Sequence, residues 1–439
     1  MAHKVRKGSA MLAVASAAAG IGSVATATTP PSEPPSDGWV APTDDCIDAD
    51  RVHQPIEGTL TIGSAMPLSG GAAASAFAPI AAGFQAYIEY ANDHELVPGI
   101  TLAVEIADDQ FNPALTPAAV NGLLDEGAHV ISSALGTPNN LAVRELLNDE
   151  CVPQLLAVSG APVFAEAEEY PWTIGGQMPY PVEVAGYLRH AATAFPDGAS
   201  IGMFYVNSEF GDFYRDALSE LAGEYGFEQS AQQTVEASET GPPTAQVNAL
   251  AADGVDIIVA VPLGAGCPTF LTELANAKAA NPGWEPVVYL TSACSQPAIL
   301  AAAGAAADGV LTVATGGLVD PVAAASAELP AVQEYLADMD ERGLTESAGT
   351  AATGWVLAEV TVAAIAQAAE SPEGLTQASI MTAARHLDMV PGLARDGVRY
   401  TTNGLEDQYY VESVQVVRYD AANTVFVDEG PLDDLGIGD

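Results

Sequence analysis

The chain is short of positive charge, with 13 Lys and Arg against 57 Asp and Glu and a formal net charge of −44. Proteins that bind nucleic acid neutralise phosphates with clustered Lys and Arg, so nucleic acid is excluded as a partner. Cysteine is scarce as well. There are four, no C-x-x-C pair occurs, and the six histidines are scattered, which leaves no ligand set for a structural zinc ion. No G-x-S-x-G nucleophile elbow and no H-E-x-x-H helix is present. No G-x-G-x-x-G follows a strand, as a dinucleotide fold requires. Asp108 and Asp109 with Asn112 lack the alternating oxygen ligands of a calcium loop and are expected to cap a helix. No catalytic residue, metal or cofactor is therefore expected. A secreted α/β hydrolase stays as the leading enzyme alternative, because serines and histidines far apart in sequence can meet in space.

What is present fits an exported globular protein. A length of 439 residues allows two or three domains, and a 49% hydrophobic share supports buried cores. The first residues carry Lys4, Arg6 and Lys7, then an apolar stretch over residues 10–24, then Ala25-Thr26-Ala27. That is the layout of a cleaved secretory signal over residues 1–27; an uncleaved anchor is the duller reading. No later run reads as long and apolar enough to span a membrane. The first cysteine, Cys46, follows Thr43-Asp44-Asp45, so the chain is not an obvious lipoprotein. Residues 28–45 are rich in Pro, Thr, Ser and Asp and are expected to form a semi-extended linker. Removing the leader's three bases leaves ten against 57 acids, or −47.

From residue 59 onward, strand and helix patterns alternate. Strands are expected at residues 60–66, 100–107, 130–135, 155–158 and 172–174. Helices at 78–92, 113–126 and 139–148 lie between them. After a helix at 181–194 the theme restarts, with strands at 200–205, 255–261, 287–290 and 310–314 and helices at 212–225 and 269–279. Further helices are expected at 330–342, 353–370 and 377–386, then an antiparallel pair at 413–419 and 424–427. Two copies of a parallel βα theme are thus expected, one on each side of Gly176. Several strands stop at small polar residues, such as Leu135-Gly136-Thr137 and Ser159-Gly160-Ala161. In open α/β sheets ligands sit beyond such strand ends, and nothing there supplies a nucleophile or a phosphate loop. Four cysteines in an exported chain suggest two disulfides. Four allow three pairings. Cys267 with Cys294 is favoured, because both follow consecutive strands at one sheet edge, and this leaves Cys46 with Cys151.

The succession of PLSGG, DDQFNPALT, GTPNNLAVRELLNDECVPQLLAVSGA, PWTIGGQMPY and NSEFG resembles the type I periplasmic binding proteins of the leucine/isoleucine/valine-binding branch. The likeness covers about residue 58 to the end. It implies two Rossmann-like α/β lobes joined by a three-crossing hinge, with the ligand cleft between them. The implied division is residues 58–176 plus about 317–398 for one lobe and 177–316 plus about 399–432 for the other. Residues 28–57 form a linker and N-terminal arm, and 433–439 a tail. It further implies a solute receptor of an ABC importer, exported to the periplasm or cell surface. Its partners would be a small-molecule solute and ABC permease subunits, and a monomer is expected.

Thr137 and Asn139 open a helix after a strand. They can cap it, and the helix N-terminus can also receive a ligand carboxylate. The resemblance adds Ser159, Gly160 and Ala161 as a binding turn and Ser69 at the pocket rim. It puts Gln177 and Tyr180 where the chain first crosses between lobes, and makes Phe210 an aromatic cover. Gly264 and Ser292 end strands of the second lobe. Trp355 is expected in the core rather than the cleft. Amino-acid receptors of this branch hold the α-ammonium with a carboxylate near the turn that here reads Thr291-Ser292-Ala293-Cys294-Ser295, which has no acid. Burying an ammonium without an anion is costly. Either another acid serves, Glu209 being the nearest candidate, or the solute is neutral or anionic. Branched-chain or other small apolar amino acids are the first expectation, with small amides and carboxylates, for transport or for a sensor, behind it.

The excess of acids suggests adaptation to a saline habitat, since counterions screen self-repulsion between like charges. The melting temperature is predicted to rise as salt is added from millimolar to molar concentration. A flat or falling melting curve series would remove this reading.

Overall fold

The computed structural model describes residues 38–70, 72–237, 239 and 241–435. The expected leader falls outside them, as do most of the linker and the last residues of the expected tail.

Two parallel sheets dominate. The first contains β1 (Gly58–Met66), β2 (Ile100–Asp108), β3 (Val130–Ser132), β4 (Gln154–Ala157) and β5 (Thr173–Gly175) in the order β2-β1-β3-β4-β5. The second contains β6 (Ser200–Asn207), β7 (Glu228–Glu236), β8 (Ile257–Val261), β9 (Val287–Leu290) and β10 (Leu311–Val313). Its order is β7-β6-β8-β9-β10, extended beyond β10 by the antiparallel strands Val416–Asp420 and Val425–Asp428. Both sheets thus repeat one winding: the second strand goes to one side of the first and the third to the other. The switch of direction opens a crevice at the carboxyl ends of β1 and β3, and again at β6 and β8.

Strands buried on both faces explain the apolar runs. In β8, Ile257, Val259 and Val261 enter one core cluster, while Ile258 and Ala260 enter another. Successive side chains point to opposite faces of a strand, so both must be apolar when helices cover both. Helices α2 (Thr116–Asp125) and α3 (Thr137–Asp149) cover one face of the first sheet through Val120, Leu123, Val143 and Leu147. The helix α1 (Ala72–Asp93) and the long helix Ala348–Ala369 cover the other. On the second sheet, α4 (Tyr180–Ala194) and α5 (Glu209–Leu221) lie on one face, and α6 (Thr244–Asp253) and α7 (Gly266–Ala280) on the other.

Three features depart from the sequence reading. Strand β7 and helix α6 were not expected. β7 is a sheet edge whose residues EQSAQQTVE are mostly exposed, so no apolar run marks it. The segment Thr345–Ala369 is long and apolar enough to cross a membrane, contrary to expectation, but it is mostly buried in the protein; Trp355 on it packs among Tyr87, Tyr90 and Tyr335. The linker expected at 28–45 does not extend over its last eight residues, which lie on the first lobe. There Trp39 faces the buried Arg385 guanidinium, Ala41 N donates to Thr382 Oγ1, and Trp172 Nε1 donates to the Pro42 carbonyl. The disulfides are Cys46–Cys151, which fastens this arm, and Cys267–Cys294.

The α1 crossing over Ala348–Ala369 is made by glycines. A Cβ on Gly83 would stand 1.9 Å from the Ala351 carbonyl oxygen, and one on Gly354 1.8 Å from that of Ile80. Both obstacles are backbone and cannot yield as a side chain does. Gly354→Ala is predicted to cost roughly 2–3 kcal/mol in chemical denaturation, as overpacked cores do. Gly122→Ala, on a helix surface with nothing within 4 Å, is predicted to stabilise by about 0.5–1 kcal/mol. Equal effects would refute the steric account.

Candidate functional site: the cavity between facing strand ends

The carboxyl ends of the two sheets enclose a cavity of about 220 Å³. From the first sheet come Leu135, Gly136 and Thr137 after β3 and Val158 after β4, and from the second Ser208, Glu209 and Phe210 after β6, Leu263 after β8, Ser292 after β9 and Thr315 after β10. Phe77, Ile80 and Phe111 complete the apolar wall.

Tyr180 ties these turns together. It is the first residue of α4, just past the crossing from β5. Its hydroxyl lies 3.1 Å from Thr137 Oγ1, which is 2.7 Å from Ser159 Oγ. Its ring stacks on Tyr214 at 4.2 Å and meets Phe210 edge-on at 5.5 Å. Gly160 must be bare here, because a Cβ would stand 2.6 Å from that ring and 2.3 Å from the Met178 carbonyl oxygen. Gly211 of the NSEFG turn is required for the same kind of reason, as a Cβ would lie 2.0 Å from the Val206 carbonyl oxygen.

Behind Ser292 lies a carboxylate that the sequence reading passed over. Glu183 is fully buried. Its Oε1 accepts from Tyr187 OH at 2.5 Å, Tyr214 OH at 2.8 Å and the Ser292 backbone N–H at 2.9 Å. Oε2 has no protein partner. Burial holds the Glu183 carboxyl above the usual carboxylate range, against the opposing pull of those donors. Burial likewise raises the Tyr180 and Tyr214 hydroxyls.

The expected site residues fall into four groups. Thr137, Asn139, Gln177, Tyr180, Phe210 and Ser292 line the cavity. Ser159, Gly160 and Ala161 line a small hollow beside it that shares Gln177. Gly264 lines an adjoining chamber. Ser69 lines none of these; it is exposed, and its hydroxyl donates to Asp108. Neither Thr137 nor Asn139 caps α3, whose N-cap is Gly136 without a side-chain bond. Instead the Asn139 amide donates to Asp109 Oδ2 at 2.8 Å and to Thr116 Oγ1 at 2.9 Å. Asp109 also accepts from Phe111 N at 3.0 Å. Helix capping was expected of Asp108 and Asp109, but α2 begins without a side-chain cap. Asp109 shapes the loop that carries Phe111, and Asp108 accepts from Leu68 N and Ser69 N. Gln110 and Phe111 both have φ of +56°, an uncommon conformation for such residues. The Cys294 thiol is spent in its disulfide. Among the described residues no cluster of His, Cys, Asp and Glu could hold a metal.

A family model described as periplasmic binding protein matches residues 59–422. No curated protein matches the chain. Among solved structures, a branched-chain amino acid ABC transporter protein from Thermus thermophilus with bound valine is 19% identical, covering 87% of this chain and 97% of its own, at a TM-score of 0.75. A fatty acid ABC transporter substrate-binding protein from Thermomonospora curvata is 17% identical, covering 88% and 96%, at 0.72. A possible leucine/isoleucine/valine-binding protein from Rhodopirellula baltica SH 1 is 20% identical, covering 87% and 98%, at 0.68. At such identities the likeness shows the fold.

Glu183 gives a pH prediction. Its raised folded pKa means that the native state binds a proton the unfolded chain has released. The associated stability is full below the ordinary glutamate range and is lost as pH rises through the folded value. Glu359, on the long helix, is pushed up to about 7 by burial and has the same sign, so the comparison must be with a variant. Glu183→Gln keeps an acceptor for the three donors, and its stability relative to the parent is predicted to improve from pH 5 to pH 8 in urea titrations. Glu183→Ala strands those donors and is predicted to cost roughly 3 kcal/mol or more. A pH-independent difference between parent and Glu183→Gln would overturn the assignment.

Proposed function

This chain belongs to the periplasmic binding protein family, and on that footing we propose that it is the extracytoplasmic solute receptor of an ABC importer. Export by the N-terminal leader and work as a monomer with permease subunits belong to this reading. One observation carries it: an apolar cavity walled by facing turns of both sheets, with hydroxyls and bare backbone but no catalytic constellation among its lining residues. Such a site holds a solute and releases it unaltered. Closure of the lobes over the ligand would present the bound form to the transporter. The hinge would run through the Gly176–Gln177 crossing, the left-handed Gly316-Gly317 pair and the return near residue 400.

Small apolar amino acids, branched-chain ones first, suit the apolar wall, and the Thermus thermophilus protein is described with valine bound. The α-ammonium would then need Glu209, which stands exposed at the cavity edge. Glu183 is spent on three protein donors. A second reading, a small carboxylate or amide feeding a transporter or a sensor, is favoured by that lack of a free interior acid. The Thermomonospora curvata protein is described as a fatty acid ABC transporter substrate-binding protein.

Thermal-shift screening of amino acids, amides and short organic acids tests the role. A binder at one hundred times its Kd adds about 2.7 kcal/mol to stability. Phe210→Ala is predicted to weaken that binder roughly ten-fold or more, by removing a buried aromatic. Esterase or peptidase turnover that vanishes on replacing one serine would instead establish the hydrolase alternative.

A further inference from the structure

The cavity does not end at its aromatic wall. A second chamber of about 260 Å³ adjoins it, and the two share Phe77, Phe111, Ala237 and Leu263. The Phe77 and Phe111 rings stand 5.6 Å apart between centroids and form a common side of both. Beyond them the second chamber is walled by Val206 at the end of β6, Val235 at the end of β7 and Pro262 after β8, with Thr269 on α7. It therefore lies at the same strand-end crevice, displaced toward the sheet edge. Its interior is mainly apolar. Glu236 and Glu239 are exposed at its outer rim, where an anionic head would meet like charge. Each chamber meets a helix N-terminus, that of α3 in the first and that of α7 at Gly266 in the second, and the first has one exposed acid, Glu209. The difference lies in the hydroxyls: Thr137, Ser292 and Thr315 line the first, whereas the second has Thr269, whose hydroxyl already donates to the Ala265 carbonyl at 2.7 Å.

We propose that the second chamber is a tail subsite, and that the preferred ligand is a linear aliphatic carboxylate or its amide. The head lies by Thr137, and the chain runs past Phe77 and Phe111 toward Val235. A branched-chain amino acid would occupy the first chamber alone and leave the second without apolar contact. The proposal rests on the receptor reading and narrows it. Asp109 then has a functional consequence: by fixing the Phe111 loop it sets the width of the passage.

The test is isothermal titration of the full chain with linear monocarboxylates, and with their amides, from three to twelve carbons, beside valine and leucine. Each methylene entering an apolar subsite is worth about 0.8 kcal/mol, so affinity should rise about four-fold per carbon until the chain outgrows the chamber. Val235→Phe and, independently, Thr269→Phe fill the second chamber. Each should abolish the gain for long members and leave three- and four-carbon ligands within about two-fold, with the ligand-free melting temperature establishing that the variant is folded. If short members or valine bind but lengthening brings no gain, or if the gain survives both folded variants, the tail subsite is refuted and the receptor stands. If no amino acid, acid or amide binds at all, the receptor reading itself falls, and this proposal with it.

Discussion

Tyr180 is the point on which the site depends. Its hydroxyl joins Thr137 and Ser159 at the ends of the first sheet's strands, and its ring packs on Tyr214 and Phe210 of the second lobe. The residue begins the helix that follows the first crossing, so one side chain sets both the direction in which the chain leaves the first sheet and the spacing of the facing turns. The Tyr214 hydroxyl carries the linkage on, donating to Glu183, whose Oε1 also holds the Ser292 N–H. A buried carboxyl is costly unless it is hydrogen-bonded or protonated. Here three donors and a raised pKa meet that cost together, and the Ser292 turn is fixed as a result.

The alternation of strand and helix was legible because both sheets are covered on both faces. Their strands are therefore apolar runs cut by Gly, Ser and Thr, and β9 was located to the residue. β7 was not, because an edge strand exposed along most of its length carries no such signature. The candidate turns were found by the same logic, since small polar residues after a strand are where backbone can approach a solute. Ser69 met that description and failed, because its hydroxyl is used to hold its own loop to Asp108. No local pattern distinguishes a hydroxyl facing a cavity from one closing a turn.

Phe111 and Glu183 were missed for different reasons. Phe111 comes two residues after Asp109, and its ring lines the cleft from a backbone at positive φ whose N–H donates to the buried Asp109 carboxylate. That is a tertiary arrangement with no periodicity to read. Glu183 did leave a signal. In YPVEVAGYL it is the one acid in an otherwise apolar and aromatic stretch, and every residue from Val182 to Leu188 is buried. An acid in such a place must be paired or protonated.

The charge of the chain and the character of its cavity are separate design problems. Most acids are exposed to solvent, where ions screen their fields over about 10 Å at 0.1 M salt. The cavity wall instead is mainly aromatic and aliphatic, with hydroxyls, the amides of Asn139, Gln177 and Gln296, and one exposed carboxylate, Glu209. Its apolar surfaces come from both lobes, Phe77 and Phe111 on one side and Phe210 and Leu263 on the other. Each surface alone would face water. A solute that fits between them removes both from water at once, and the free energy of that burial is available only when the turns face one another. On the proposed receptor role, an apolar guest would favour a closed arrangement by its own differential contact with it, which is the one way a ligand can shift a conformational equilibrium.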